Sequence, residues 1–205
     1  MVPTPASSDL EAALWVQGFA RVGGVDEAGR GALAGPLVAA AIILAPDRIP
    51  TGLRDSKKLS ALQRERLYEE LLAGAEAHHV VEIDNGRIDD LGIHHANLLA
   101  LRQAVLGLRD PADYLLSDGY AVPDAPCPTL AVPKGDAVSV SVAAASILAK
   151  VHRDRIMCEL DGRHPAYGFA KHKGYGTAEH IAALCEHGPC SVHRCSFRPV
   201  ADLVR

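Results

Sequence analysis

Leu37 to Leu44 (LVAAAIIL) is an unbroken run of Ala, Leu and β-branched residues. A strand with one wet face alternates apolar and polar residues. A strand that is apolar at every position has to be buried. This run therefore needs cover, and the rest of the chain has to supply it. The longest uncharged stretch around it, Ala32 to Pro46, is interrupted by Gly35 and Pro36, so it predicts no membrane span.

The remaining pattern provides the cover. Arg21 to Val25 reads as a strand entering a Gly-rich turn, and His79 to Asp84, Asp113 to Ser117 and Thr129 to Val132 read as three more. Helical spacing follows Ser60, an N-cap for Ala61 to Ala73. It recurs after Asp89 or Asp90 with Ile93, Leu98, Leu101 and Val105, then from Ser139 or Ser141 past Ile156, and last over Thr177 to Cys185, stopped by Gly188-Pro189. Strands first, then strands alternating with helices, predict one α/β domain with a mixed sheet flanked by helices. Residues 1–20, with Pro3 and Pro5, read as a lead-in, and Trp15 as its packing anchor.

At 205 residues the chain suits one domain with a real core, and 48% hydrophobic against 22% charged residues is a globular balance. The N-terminus has no basic segment, and Asp9 and Glu11 fall where a signal peptide needs an uncharged core. A soluble, cytoplasmic protein is expected. Five Cys, an odd count with four after Asp154, fit reduced thiols. The net charge of −4 does not advertise a nucleic-acid binder, but it is unevenly spread. Residues 1–149 carry −7, and residues 150–205 carry +3 with six of the ten His.

Four segments carry possible chemistry. Asp26-Glu27-Ala28-Gly29-Arg30-Gly31 puts two carboxylates at a strand end. Alternation would send one of them into the core unless the glycines let the backbone turn there. Gly29 and Gly31 let backbone N–H groups approach a ligand, and Arg30 can reach a phosphate. A solvated acid pair in a polar turn is the plainer account. Asp118 ends a strand, where α/β sheets place ligand groups and where turns also begin. Asp136 lies just before the long helix, as a helix-terminus acid or a carboxylate aimed at a metal. Lys150 and Asp154 read as a helix-surface ion pair. Lys171 to Thr177 is a basic loop with Tyr175 between glycines, free to lie flat on a sugar or base, or else to cover core.

Carboxylates from separate segments converging at strand ends are a ligand set for Mg²⁺ or Mn²⁺, and two such ions can drive in-line phosphodiester cleavage. Neither a G-x-S-x-G elbow nor a Walker loop is present. A nucleic-acid-binding module without catalysis and a small-molecule phosphohydrolase on the same fold are the competing readings. The acids at 26, 27, 118 and 136 speak against the first, since they repel phosphate without metal, and the basic loop with Tyr175 speaks against the second.

The segments D-E-A-G-R-G (26–31) with G-P (35–36), D-S-K-K-L (55–59), D-G (118–119), K-G-D (134–136), A-A-S-I-L-A-K-V-H-R-D (144–154) and K-G-Y-G-T (173–177) together resemble the ribonuclease HII family, in the family's order over about residues 20–198. The resemblance implies a ribonuclease H-like fold with a five-stranded mixed sheet, residues 21–205 forming one catalytic domain with a C-terminal helical extension from about 160. It implies cleavage of RNA in RNA–DNA hybrids and incision 5′ of single ribonucleotides in duplex DNA, leaving 3′-hydroxyl and 5′-phosphate ends, with a role in removing ribonucleotides from DNA. It implies Asp26, Glu27, Asp118 and Asp136 as catalytic metal ligands for Mg²⁺ or Mn²⁺. It implies Gly29, Arg30 and Gly31 as readers of the 2′-hydroxyl, and Tyr175 as the ring that stacks on the junction sugar. Lys57, Lys58 and Lys173 are implied phosphate contacts. Arg30 and the short lead-in favour type 2 over the sister type, ribonuclease HIII. Val200 to Arg205 holds no Gln-led aromatic peptide of the kind that docks on a sliding clamp, so no such partner is expected, and a monomer is. The family's usual His-Arg-Arg-Ser-Phe is here His193-Arg194-Cys195-Ser196-Phe197. Cys185, His187, Cys190, His193 and Cys195 invite a zinc reading, but their spacing fits no C-x₂₋₄-C…H-x₃₋₅-H pattern, so zinc is the minor alternative.

Overall fold

A computed structural model describes residues 6–204; the expected lead-in residues 1–5 and the terminal Arg205 lie outside them. The described chain runs α1 (Asp9–Val16), β1 (Val22–Ala28), β2 (Leu37–Leu44), a 3-10 turn (Ser56–Lys58), α2 (Ala61–Gly74), β3 (Ala75–Ile83), α3 (Asn85–Leu91), α4 (Ile93–Leu106), β4 (Tyr114–Asp118), β5 (Thr129–Val132), α5 (Gly135–Val138), α6 (Val140–Arg163), α7 (Phe169–His172), α8 (Ala178–His187) and α9 (Val200–Leu203). The five strands form one sheet in the order β3-β2-β1-β4-β5. The β3–β2–β1 half is antiparallel, and β4 and β5 join it in parallel.

The apolar run is β2, buried at every position and flanked by strands on both sides. Its alternate residues feed two cores. Val38, Ala40, Ile42 and Leu44 pack with Leu67 and Leu71 of α2 and with Ala143 to Val151 of α6. Leu37, Ala39, Ala41 and Ile43 pack with Ala96, Ala100, Leu101 and Ala104 of α4. Each large aliphatic side chain buried this way contributes roughly 1.5–3 kcal/mol, so both faces select against polar residues. A third cluster, with Met157, Tyr167, Phe169, Leu184 and Val200, ties the C-terminal helices to the outer half of α6. The segment before β1 packs too: Leu10, Leu14, Trp15 and Phe19 lie against Val22, Leu116 and Val142.

α6 lies close on β1. A Cβ added to Gly24 would come within 2.0 Å of the Ser141 carbonyl oxygen, so only glycine lets the helix start there. Ser139 caps α6 by accepting the Val142 N–H. Buried Glu11 in turn accepts from the Ser139 hydroxyl at 2.5 Å and from the Ser141 N–H at 2.9 Å.

Three expectations need correction. β1 does not turn at Asp26-Glu27; it stays paired with β2 through Ala28, and the turn waits for Gly29 at φ +88. Neither Asp89 nor Asp90 caps the helix through Ile93. Asp84 caps α3, Gly92 at φ +75 breaks the chain, and α4 starts afresh. Asp89 is engaged elsewhere, accepting from Cys195 N–H, Ser196 N–H and the Ser196 hydroxyl. β3 starts at Ala75, four residues before His79, because pairing with Leu44 and Ile43 extends it past its weakly patterned start. The five cysteines are free, and no helix among the described residues is long and apolar enough to cross a membrane.

Candidate active site

β1 carries Asp26 and Glu27 to the sheet edge of a cleft of about 770 Å³. Because β1 stays regular, the two side chains leave opposite faces. Asp26 points toward α6 and Ser146, and Glu27 toward α4 and Asn97. β4 runs parallel to β1 and ends at Asp118. The chain from β5 turns through Lys134, which is left-handed at φ 57, and places Asp136 in the first turn of α5. The Gly135 N–H donates to Asp118 Oδ1 at 2.7 Å, which ties the last two segments together. One oxygen each from Asp26, Asp118 and Asp136 lies within 4.8 Å of the others. Among the described residues this is the one His/Cys/Asp/Glu group so arranged, and the C-terminal Cys and His residues form none.

The electrostatics show what such crowding costs. Burial, with the charges of Glu27 and Asp118, holds the Asp26 carboxyl well above its ordinary range. Burial and Asp118 push Glu27 up to about 7. Asp136 is also raised, because burial outweighs the attraction of Lys57, whose Nζ lies 3.3 Å away. Lys57 itself is raised: Asp136 and Asp55 outweigh its own burial. Glu27 Oε2 is buried without a partner. Asn97, wholly buried beside it, favours the ionised form of Glu27 while making no hydrogen bond of ordinary geometry. Hard oxygen ligands, surplus negative charge and an orphaned carboxylate oxygen fit a divalent cation.

Gly29, Arg30, Gly31, Lys57 and Tyr175 line the same cleft as Asp26, Glu27 and Asp118. A second lobe of about 490 Å³, sharing Glu27, Lys57 and Asp118 with the first, takes in Asp136 and Lys58. Arg30 lies 4.9 Å from the Tyr120 ring. Lys173 is not brought into either lobe. It lines a neighbouring groove of about 400 Å³, with its Nζ on the Ala170 carbonyl at 2.6 Å and 3.0 Å from Cys158 Sγ.

Ser146 and Arg153, given no role from sequence, and Lys150, read there only as half of an ion pair, also stand at the site. Their spacing of four and three residues puts them on one face of α6, and that regularity was the available signal. Ser146 adjoins Asp26, and Lys150 lines the cleft while pairing with Asp154 at 2.7 Å. That pair, expected at the surface, is mostly buried. Arg153 has no exposure and donates to the carbonyls of Pro36, Lys173 and Ala34. A Cβ on Gly29 would sit 1.9 Å from Arg153 Nε, which explains the glycine there. Arg194, equally buried, donates to the carbonyls of Gly35 and Arg30. Two guanidinium groups with no carboxylate partner among the described residues thus shape the loop that carries Arg30. Burial and the repulsion of Arg153 lower Arg194 to about 9.

The sequence model of the ribonuclease HII family matches residues 23–200. The chain belongs to the ribonuclease HII family. It is 52% identical over 197 residues to the ribonuclease HII of Mycobacterium sp. strain JLS, covering 95% of this chain and 82% of that one. It is 57% identical over 196 residues to that of Nocardia farcinica, covering 94% and 78%. Among solved structures, the ribonuclease H2 of Pyrococcus horikoshii OT3 superposes with a TM-score of 0.76 at 26% identity, covering 89% of this chain and 96% of that one. The ribonuclease HII of Archaeoglobus fulgidus, solved in complex with PCNA, gives 0.75 at 27%, covering 87% and 95%. The expected ribonuclease H-like fold and type 2 assignment both stand, and the enzyme is a type 2 ribonuclease H.

Proposed function

We propose that this enzyme cuts the RNA strand of RNA–DNA hybrids and incises duplex DNA on the 5′ side of a single embedded ribonucleotide, leaving 3′-hydroxyl and 5′-phosphate ends. Membership in the ribonuclease HII family supports endoribonuclease activity on RNA–DNA hybrids. The observation that carries the mechanism is the meeting of Asp26, Asp118 and Asp136 oxygens, from three separate segments, within 4.8 Å. Asp26, Glu27, Asp118 and Asp136 would hold Mg²⁺ or Mn²⁺, two ions during catalysis. Such ions supply Lewis acidity to the scissile phosphate and make water a usable nucleophile near neutral pH.

The chain's own groups do the positioning. The three aspartates are fixed before substrate arrives, by β1, by β4 and by the Gly135 N–H on Asp118. Lys57 holds Asp136 and offers a cation toward phosphate. Gly29 and Gly31 let the main chain approach the ribose, so that its amides and Arg30 read the 2′-hydroxyl and flanking phosphates. Tyr175, 37% exposed and lining the cleft, offers a flat ring to the sugar at the RNA-to-DNA junction. Lys58, in the second lobe, and Lys173, in the adjoining groove, would meet phosphates farther along the strands. The enzyme is taken to act as a monomer in the removal of ribonucleotides from DNA. Cleavage of a labelled RNA–DNA hybrid in Mg²⁺ tests the reading. The native protein is expected to cut, and Asp118→Asn to lose at least about a thousandfold while still folding. Native-rate cutting by Asp118→Asn refutes it.

A further inference from the structure

His172, His180 and His193 are buried below the Tyr175 loop, with 8%, 0% and 1% exposure. Among the described residues no negative charge pairs with them. Their contacts form two directed chains. In the first, His193 Nδ1 receives the Cys190 N–H at 2.9 Å, so its hydrogen sits on Nε2. That Nε2 is 3.0 Å from His180 Nε2, which must accept. The hydrogen of His180 is therefore on Nδ1, 3.0 Å from the Tyr175 carbonyl. In the second, Gly174 N–H donates to His172 Nδ1 at 3.2 Å, and His172 Nε2 donates to the Tyr167 carbonyl at 2.7 Å. The His172 and His180 rings stack at 4.4 Å, so the two chains brace each other. Each ring is satisfied in one neutral tautomer: a hydrogen on His180 Nε2 would face the His193 donor, and one on His193 Nδ1 would face the Cys190 N–H at 2.9 Å and reach the Cys190 carbonyl and Sγ only at 3.3 and 3.2 Å.

The loop needs this support. Lys173 and Gly174 are both left-handed, at φ 53 and +79, a conformation the Lys backbone does not favour. The histidines grip the residues that follow, on both sides of the Gly174–Tyr175 peptide, while Arg153 holds the Lys173 carbonyl. The ring they orient faces the cleft with the Arg153 guanidinium 5.4 Å from its centre.

We propose that His180, driven by His193 and braced by His172, is a positioning residue that fixes the Tyr175 ring against the sugar of the substrate. The inference rests on the substrate-stacking role proposed above for Tyr175. Burial and neighbouring histidines lower His193 to about 4 and lower His180 as well, which keeps the neutral tautomers in place near neutral pH.

The test compares His180→Leu with His180→Asn on a duplex carrying one ribonucleotide, in the native and Tyr175→Ala backgrounds. Asn puts an N–H donor where Nδ1 stood but leaves His193 Nε2 unpartnered, so both variants lose stability and only Leu loses the grip on Tyr175. His180→Leu is expected to lower kcat/KM about tenfold, mainly through KM, well below the roughly hundredfold that a 1 Å misplacement can cost. His180→Asn is expected to stay within about threefold of native. In the Tyr175→Ala background His180→Leu should change kcat/KM less than about twofold, since coupled residues are not additive. Equal losses in both backgrounds, or Asn no better than Leu, overturn the proposal. If His180→Leu does not fold, His172→Leu and His172→Asn take the same test with the same outcomes. A native kcat/KM for Tyr175→Ala refutes the stacking role and this inference together. A loss with Tyr175→Ala but none with His180→Leu refutes this inference alone.

Discussion

Replacing Asp118 by Asn removes one negative charge from the carboxylate cluster and keeps the side-chain oxygen that accepts the Gly135 N–H at 2.7 Å. The volume is unchanged, so the effect on stability is electrostatic. Two ionised carboxylates 4.8 Å apart repel by roughly 3.5 kcal/mol at an effective dielectric of about 20. Burial first and this repulsion second raise Asp26, Glu27 and Asp136, so the folded protein relieves part of the repulsion by holding protons. Glu27 alone, at about 7 against an ordinary 4.5, corresponds to roughly 3 kcal/mol of destabilisation once ionised. A raised acid binds its proton more tightly folded than unfolded. Its penalty is absent below about pH 4.5, grows as pH rises, and is complete above about pH 7. Asp118 is one of several causes, so Asp118→Asn is expected to stabilise the metal-free protein by about 1–3 kcal/mol at pH 8 and by less than half of that at pH 5. For a chain of this size each kcal/mol moves the Tm by roughly 2–4 °C. Urea and thermal unfolding in EDTA at the two pH values measure both numbers. Loss of stability with Asp118→Asn at pH 8, or an equal gain at pH 5, would refute the reasoning.

Three further outcomes follow from the same geometry. Gly24→Ala drives a Cβ into the backbone of Ser141, which cannot rotate away, and is expected to cost more than about 3 kcal/mol by urea unfolding. Glu11→Ala leaves the Ser139 hydroxyl and the Ser141 N–H buried without an acceptor, and about 2–4 kcal/mol should be lost in the same measurement. Gly29→Ala displaces Arg153 from its three carbonyls; alongside lower stability, the protein should lose affinity for a ribonucleotide-containing duplex about tenfold or more by fluorescence anisotropy.

Much of this was legible in the chain because apolar periodicity and caps are local. Leu37–Leu44 and Thr129–Val132 lie where the sequence put them, and Ser60 and Ser139 cap their helices as their position implied. The break at Gly92 was harder, since Asp84, Asp89 and Asp90 are all competent caps and only the contacts of Asp89 with Cys195 and Ser196 decide among them. Asp26 and Asp118 stood out as carboxylates at strand ends and Asp136 as an acid before the long helix, and the structure brings the three together. That Asp26 and Glu27 leave opposite faces followed from strand alternation, but the glycines around them suggested a bend that β2 pairing prevents. Glu11, Arg153, Arg194 and the histidines went unseen for a different reason. Glu11, Arg153 and Arg194 look solvent-facing in sequence and find partners in segments up to 164 residues away, whereas the histidines pair within 13 residues but are buried only by the folding of the C-terminal segment.

On this reading, folding gathers these carboxylates to hold a divalent cation for cutting at ribonucleotides. This is tested most directly with a duplex DNA carrying one ribonucleotide, labelled at either end and incubated with Mg²⁺, Mn²⁺ or EDTA. One incision on the 5′ side of the ribonucleotide, leaving a 3′-hydroxyl, is expected in either metal and none in EDTA. Cutting that persists in EDTA, or folded protein that leaves the duplex intact in both metals, would contradict it.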